Sequence, residues 1–172
     1  MGFRDYMLKE EFFDRIILGE VDTVSTIGIM TAENPNGRKY VKTSNEKKNE
    51  DFLEYLNKKG YQPVQIKGKF LGKQENAYLI INISKQELIE LGKRYGQDVV
   101  IFGENLGKRR GMEFYYIRNG RSVGKGRLKI DQPENQWEKN SYLSIGRQKY
   151  TISFSSVTSS ALPSVQKELE KK

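Results

Sequence analysis

Seven polar residues between positions 31 and 97 have types and spacing that could do chemistry: Thr31, Asn34, Ser44, Asn45, Asn49, Glu75 and Gln97. Side-chain amides both donate and accept, and the free N–H groups at a helix N-terminus favour anions and polar ligands, so this set suits a small polar ligand such as a nucleotide. A plainer reading fits the same residues: Asn34-Pro35-Asn36-Gly37 is a turn, and Asn45 and Asn49 are amides that close loops. A second group is cationic. Lys108, Arg109, Arg110, Arg118, Arg121, Lys125, Arg127 and Lys129 follow one another within a stretch that also holds Tyr116 and Trp137. Along residues 121–129 a strand's period of two directs Arg121, Val123, Lys125, Arg127 and Lys129 to one face. Cations interleaved with aromatic rings suit single-stranded nucleic acid or RNA, phosphates meeting Lys and Arg while bases stack on rings. Cations on a strand also protect sheet edges from aggregation, and hairpin aromatics also build cores.

Catalysis has little to work with. The 172 residues include no Cys and no His, which removes disulfides, thiol or imidazole zinc sites, and every nucleophile system that needs an imidazole base. Glu33 and Glu75 could act as catalytic carboxylates on a nucleotide, with or without Mg²⁺, but there is no Asp-x-Asp pair and no Gly-x-Gly-x-x-Gly run, and Gly68-x-x-x-Gly72-Lys73 lacks the spacing of a phosphate-binding P-loop. Binding rather than catalysis is expected, with no cofactor and no metal.

Charge and composition limit the partners. Thirty Lys and Arg against 22 Asp and Glu give a net charge of +8, and the excess lies in the C-terminal half, where residues 104–150 hold eleven basic and five acidic side chains. Such a field draws phosphate-bearing partners. Mean hydropathy is -0.73, yet 8 Phe and 10 Tyr argue for a folded chain with a very polar surface rather than for disorder. No run approaches the roughly 20 apolar residues of a membrane span, so a soluble, cytoplasmic protein without membrane contact is expected.

The elements that must hold these residues can be read from periodicity and stop signals. Residues 7–18 space Leu8, Phe12 and Ile16 as an amphipathic helix ending at Gly19, and residues 25–31 form a strand that runs into the Glu33–Gly37 turn. Thr43 and Glu46 have capping-box spacing for a helix that closes at Gly60, with Phe52, Leu53 and Leu56 as its buried stripe. Strands follow at 61–70 and 77–83, then a helix capped by Ser84 and Glu87 and stopped by Gly96, then a strand at 98–102. Strand, helix, two strands, helix, strand is the split β-α-β order, which predicts an α+β, ferredoxin-like core of four strands and two helices. Asn119-Gly120 between strands at 112–118 and 121–130 marks a hairpin, and a second hairpin flanks residues 146–148. The expected organisation is an N-terminal helix (1–20) beside the core (22–104), a basic β-hairpin extension (105–157) and a C-terminal tail or short helix (158–172).

Thr31-Ala32-Glu33-Asn34-Pro35, Ser44-Asn45 with Asn49 and Leu53, Gly60-Tyr61, Gly68, Gly72 with Glu75, and Leu91-Gly92 leading to Tyr95-Gly96-Gln97 form an ordered pattern over about residues 25–103. In this it resembles the small bacterial and phage proteins grouped as domain of unknown function 3293. The resemblance brings no established activity. It implies that Asn34, Ser44, Asn45, Asn49, Glu75 and Gln97 match a recurring polar set, which favours a ligand or RNA site over capping alone. The basic extension after residue 103 departs from the pattern. The expected function is non-enzymatic binding: nucleic acid on the basic aromatic β surface, with a polar ligand in the core. A nucleotide-binding protein, or a phage-type regulator or counter-defence factor acting on a host protein, is the alternative.

Overall fold

In the computed structural model, residues 10–35, 40–70, 73–130, 142–145 and 148–157 are described. Trp137 and the segment 158–172 lie outside them, and of Lys129 only the strand position is described. Helix α1 is Glu10–Ile17, strand β1 is Thr26–Met30, and helix α2 is Lys42–Lys58. Strands β2 (Val64–Phe70) and β3 (Lys73–Ile81) precede helix α3, Lys85–Arg94. Five strands remain: β4 Val99–Asn105, β5 Met112–Arg118, β6 Arg121–Ile130, β7 Tyr142–Ile145 and β8 Gln148–Val157.

All eight strands belong to one antiparallel sheet, ordered β1-β3-β2-β7-β8-β6-β5-β4, which curls until β4 pairs with β1 and the barrel closes. This corrects the expected fold class. The chain is mostly β, and no separate four-stranded ferredoxin-like sheet forms. The order β4-β1-β3-β2 is present, but both ends of that run continue: β4 pairs with β5 from Val99↔Arg118 to Asn105↔Met112, and β2 pairs with β7 from Lys67↔Ser144 to Lys69↔Tyr142. The physical reason is that each end strand carries unpaired backbone donors and acceptors, and the later hairpins take up those of β4 along its length and those of β2 at residues 67–69.

Alternation along the strands divides the apolar residues between two clusters. Ile27, Ile29, Ala77, Leu79, Ile101, Phe114, Tyr116, Leu143, Ile145 and Tyr150 line the interior. Ile16 of α1 joins this cluster, and so does Phe13. Its ring packing against Tyr150 is edge-on, with centroids 4.8 Å apart, and the Tyr150 hydroxyl donates to Asp14 Oδ1 at 2.8 Å. The second cluster is outside: Met30, Tyr78, Ile80, Val100, Phe102 and Ile117 meet Phe52 and Leu56 of α2 and Leu88 and Leu91 of α3. Burial on both faces is why Tyr78–Ile81 reads as a continuous apolar run. Gly28 and Gly92 permit the close approach of α3; a Cβ at Gly28 would stand 2.6 Å from Ile83 Cγ2, and one at Gly92 would stand 2.9 Å from Val100 Cγ1.

Local signals hold where one residue decides them. Ser84 Oγ accepts from the Glu87 N–H at 3.1 Å and starts α3, as its capping box predicts. Asn119 and Gly120 both have positive φ, 50° and 77°, the conformation of a two-residue hairpin turn. The capping box at Thr43 and Glu46 does not form. Helix α2 begins earlier, with Val41 as its N-cap and no side-chain cap bond, which puts Thr43 inside the helix and frees Asn45 for the loop before it.

Candidate functional site

The end of β1, the first turns of α2, the start of β3 and the turn between α3 and β4 converge on one polar network. Asn34 is its hub. Held at a positive φ of 50°, it donates its backbone N–H to Asn45 Oδ1 (3.0 Å) and takes the Asn45 Nδ2 donor on its own Oδ1 (3.0 Å). The same Oδ1 accepts the Tyr40 N–H at 2.9 Å, and Asn34 Nδ2 donates to Glu75 Oε1 at 2.8 Å. Thr31 Oγ1 bridges strands, donating to the Asn76 carbonyl (2.8 Å) and accepting the Glu33 N–H (3.0 Å). Gln97 reaches across from the far side, its Nε2 donating to the Glu33 carbonyl at 2.8 Å.

Glu33 is the second centre. Its side chain is buried, and Oε1 accepts from Asn49 Nδ2 at 2.8 Å and from Asn76 Nδ2 at 3.2 Å. Tyr78, on the same outward-facing parity of β3 as Asn76, feels that carboxylate: burial first and the Glu33 charge second push its hydroxyl up to about 12. A carboxylate can only accept, so both amides must turn their NH₂ groups toward it, which fixes the direction of Asn49. Its Oδ1 then faces away from those bonds, buried and without a hydrogen-bond partner among the described residues.

Of the seven polar residues read from the sequence, Thr31, Asn34, Asn45, Asn49, Glu75 and Gln97 meet in this network. Ser44 turns elsewhere, its Oγ accepting from Lys48 Nζ at 2.9 Å one turn along α2. Glu33, weighed in the sequence as a carboxylate for Mg²⁺-assisted chemistry and as the start of a turn, and Asn76, not singled out, prove central. The period of two that links Asn76 to Tyr78 was the available signal for the latter. Among the described residues no cluster of three or more acidic side chains is arranged to hold a metal ion.

The cationic residues fall on different parts of the barrel. Lys108, Arg109 and Arg110 are exposed in the β4–β5 turn, and Arg127 Nη1 donates to the Arg110 carbonyl. Arg118 and Arg121 face each other across the far end of the β5–β6 hairpin, the first half-buried and the second exposed. Lys125 is exposed, 3.5 Å from Glu113 Oε1. Gly124 and Gly126 are buried between these cations, as alternation predicts; Val123 instead packs against the interior cluster next to the irregularity at Tyr116/Ile117. Tyr116 is 5% exposed and lines the barrel interior, so its ring is not on the cationic surface; Phe114 and Tyr150 are interior too.

Register adds cations that the order of the sequence hides. Lys67 pairs with Ser144 and Ser144 with Lys149, a row across β2, β7 and β8. Gly68, Leu143 and Tyr150 in the adjacent row are buried, so Lys67, Ser144 and Lys149 face outward. On the far side of β8, Arg127 pairs with Ser153. The helix-covered outer cluster has no member from β2, β6, β7 or β8 among the described residues. One outer half of the barrel is therefore apolar and covered by α2 and α3, while the other bears Lys67, Lys125, Arg127 and Lys149. Among the described residues no helix is long and apolar enough to cross a membrane.

No curated protein matches this chain. Residues 30–100, which hold the whole polar network, match the model of the family described as protein of unknown function (DUF3293), the family that the ordered polar pattern resembles.

Proposed function

We propose that this is a binding protein that contacts single-stranded nucleic acid or RNA with the outer face of β2, β7, β8 and β6, and that the polar network beside β3 takes a small polar group. The observation that supports the reading is the row Lys67, Ser144, Lys149, which comes from segments some 80 residues apart and lies on the same outer side as Lys125 and Arg127. Edge protection does not account for it, because Lys67, Ser144 and Lys149 stand in paired rows within the sheet, not along an edge strand. Low-dielectric walls lined with one sign of charge attract a polyanion, and phosphates are held by Lys as point charges and by Arg as a fork. Base stacking would draw on rings other than Tyr116, which is interior.

Nucleic acid held this way releases counterions, so affinity falls with salt, with a log–log slope of about -0.7 for each phosphate neutralised on a single strand. Fluorescence anisotropy with short uridine oligonucleotides across a salt series tests the reading. The combined variant Lys67→Gln, Lys125→Gln, Arg127→Gln is expected to flatten the slope by about 1–2, since Lys125 already shares its charge with Glu113. No binding at low salt, or a slope unchanged by the three substitutions, overturns the proposal.

A further inference from the structure

The polar network is richer in acceptors than its internal bonds use. Both amide donors converge on Glu33 Oε1, and among the described residues Oε2 receives no hydrogen bond. Beside it, Asn49 is 6% exposed and its Oδ1 has no hydrogen-bond partner among the described residues, an arrangement that is costly unless a donor arrives. The amide cannot be turned to relieve this, because its carbonyl would then oppose the carboxylate. The spot asks for a ligand that brings two donors together and no acceptor between them.

The way in lies along β3. Glu75, Asn76 and Asn34 are only half-buried, and Asn76 is the direct cross-strand partner of Lys67, the first cation of the basic face. A strand whose phosphates lie on that face passes the half-buried rim of the network at Asn76. Among the four bases, guanine alone presents two adjacent donors, N1–H and N2–H₂, to a carboxylate. Adenine and cytosine put an acceptor next to their amine, and uracil flanks its single N–H with two carbonyls.

We infer that the Glu33–Asn49–Asn76 spot reads a guanine base, Glu33 taking its paired donors and Asn49 Oδ1 accepting a further N–H. This rests on the nucleic-acid reading above and adds a base preference to it. The free source of the same chemistry is a guanine nucleotide, and the experiment separates the two.

Affinities of the full chain are measured for uridine oligonucleotides of one length that carry at one position uridine, guanosine or inosine, the last lacking the N2 amine. Guanosine is expected to tighten binding about ten-fold or more, the scale of a two-donor contact to one base, and inosine to lose most of that gain. Glu33→Gln is expected to abolish the guanosine advantage while still binding the uridine oligonucleotide. The inosine comparison needs no variant, so it decides the matter even if Glu33→Gln fails to fold. Equal, salt-dependent affinity for all three oligonucleotides overturns the guanine inference and leaves the basic face standing. No binding of any oligonucleotide together with no thermal stabilisation by guanosine monophosphate overturns both. Thermal stabilisation by guanosine monophosphate without oligonucleotide binding overturns the strand as the source of the base.

Discussion

Tyr78 is 2% exposed, and both causes of its raised pKa, burial and the Glu33 charge, act only in the folded chain. Folded, its hydroxyl titrates at about 12 against 10.0 as the ordinary value. Between those values the unfolded chain has lost the proton and the folded one keeps it, so stability is full below about pH 10 and falls as pH rises toward 12. Tyr61 and Tyr95 act in the same direction, raised to about 12 by burial and by hydrogen bonds to Glu87 and Asp51. Midpoints of urea unfolding are expected to drop steeply across that window, and Tyr78→Phe to flatten the drop; an equal drop in the variant would show that Tyr78 contributes nothing. At this scale the sequence was legible for four amides, missed Asn76 and was poor for aromatics. Asn34, Asn45, Asn49 and Gln97 announce themselves because an amide near a turn or helix start has few other uses. Tyr116 misleads because a ring between cations looks the same whether its strand turns it out or, as here, inward.

Element contacts turn on two glycines. A methyl at Gly28 would strike Ile83 at 2.6 Å and Leu88 at 2.8 Å, both held between α3 and the sheet, so Gly28→Ala is expected to cost about 1–3 kcal/mol by overpacking. Gly92 differs. It lies within α3, where alanine gains roughly 1 kcal/mol over glycine, and its Cβ would meet Val100 at 2.9 Å. The helix gain offsets part of the clash, so Gly92→Ala is expected to lose clearly less than Gly28→Ala in urea unfolding. Equal losses would mean that α3 cannot shift on β4. The elements themselves were largely readable, because the stop at Gly96, the cap at Ser84 and the turn at Asn119-Gly120 each depend on one or two residues. The start of α2 was not, since its true cap contributes no side chain and Asn45 is drawn to Asn34, a partner 11 residues away.

At the scale of the molecule, closure was beyond the sequence because it depends on pairings between distant segments: β1 with β4 and β2 with β7. Alternating apolar residues say that a strand has a buried face and are silent on which strand lies next to it. The interior also draws on residues before and after 22–104. Ile27, Ile29, Ile66, Leu79 and Ile101 from residues 22–104 are covered by Phe13 and Ile16 before that segment and by Phe114, Leu143, Ile145 and Tyr150 after it. A fragment of residues 22–104 would keep β4-β1-β3-β2 under α2 and α3, yet expose the inner face of all four strands and the paired rows of β4 and β2. Open edges next to an uncovered apolar face favour association between copies. Expressed alone, the fragment is expected to elute as aggregate in gel filtration and to lack the near-ultraviolet dichroism of packed tyrosines, while the full chain elutes as a folded species. A monomeric fragment that unfolds cooperatively at the full chain's urea midpoint would show instead that the outer cluster beneath α2 and α3 suffices, and that β5 to β8 and α1 only line a core already formed.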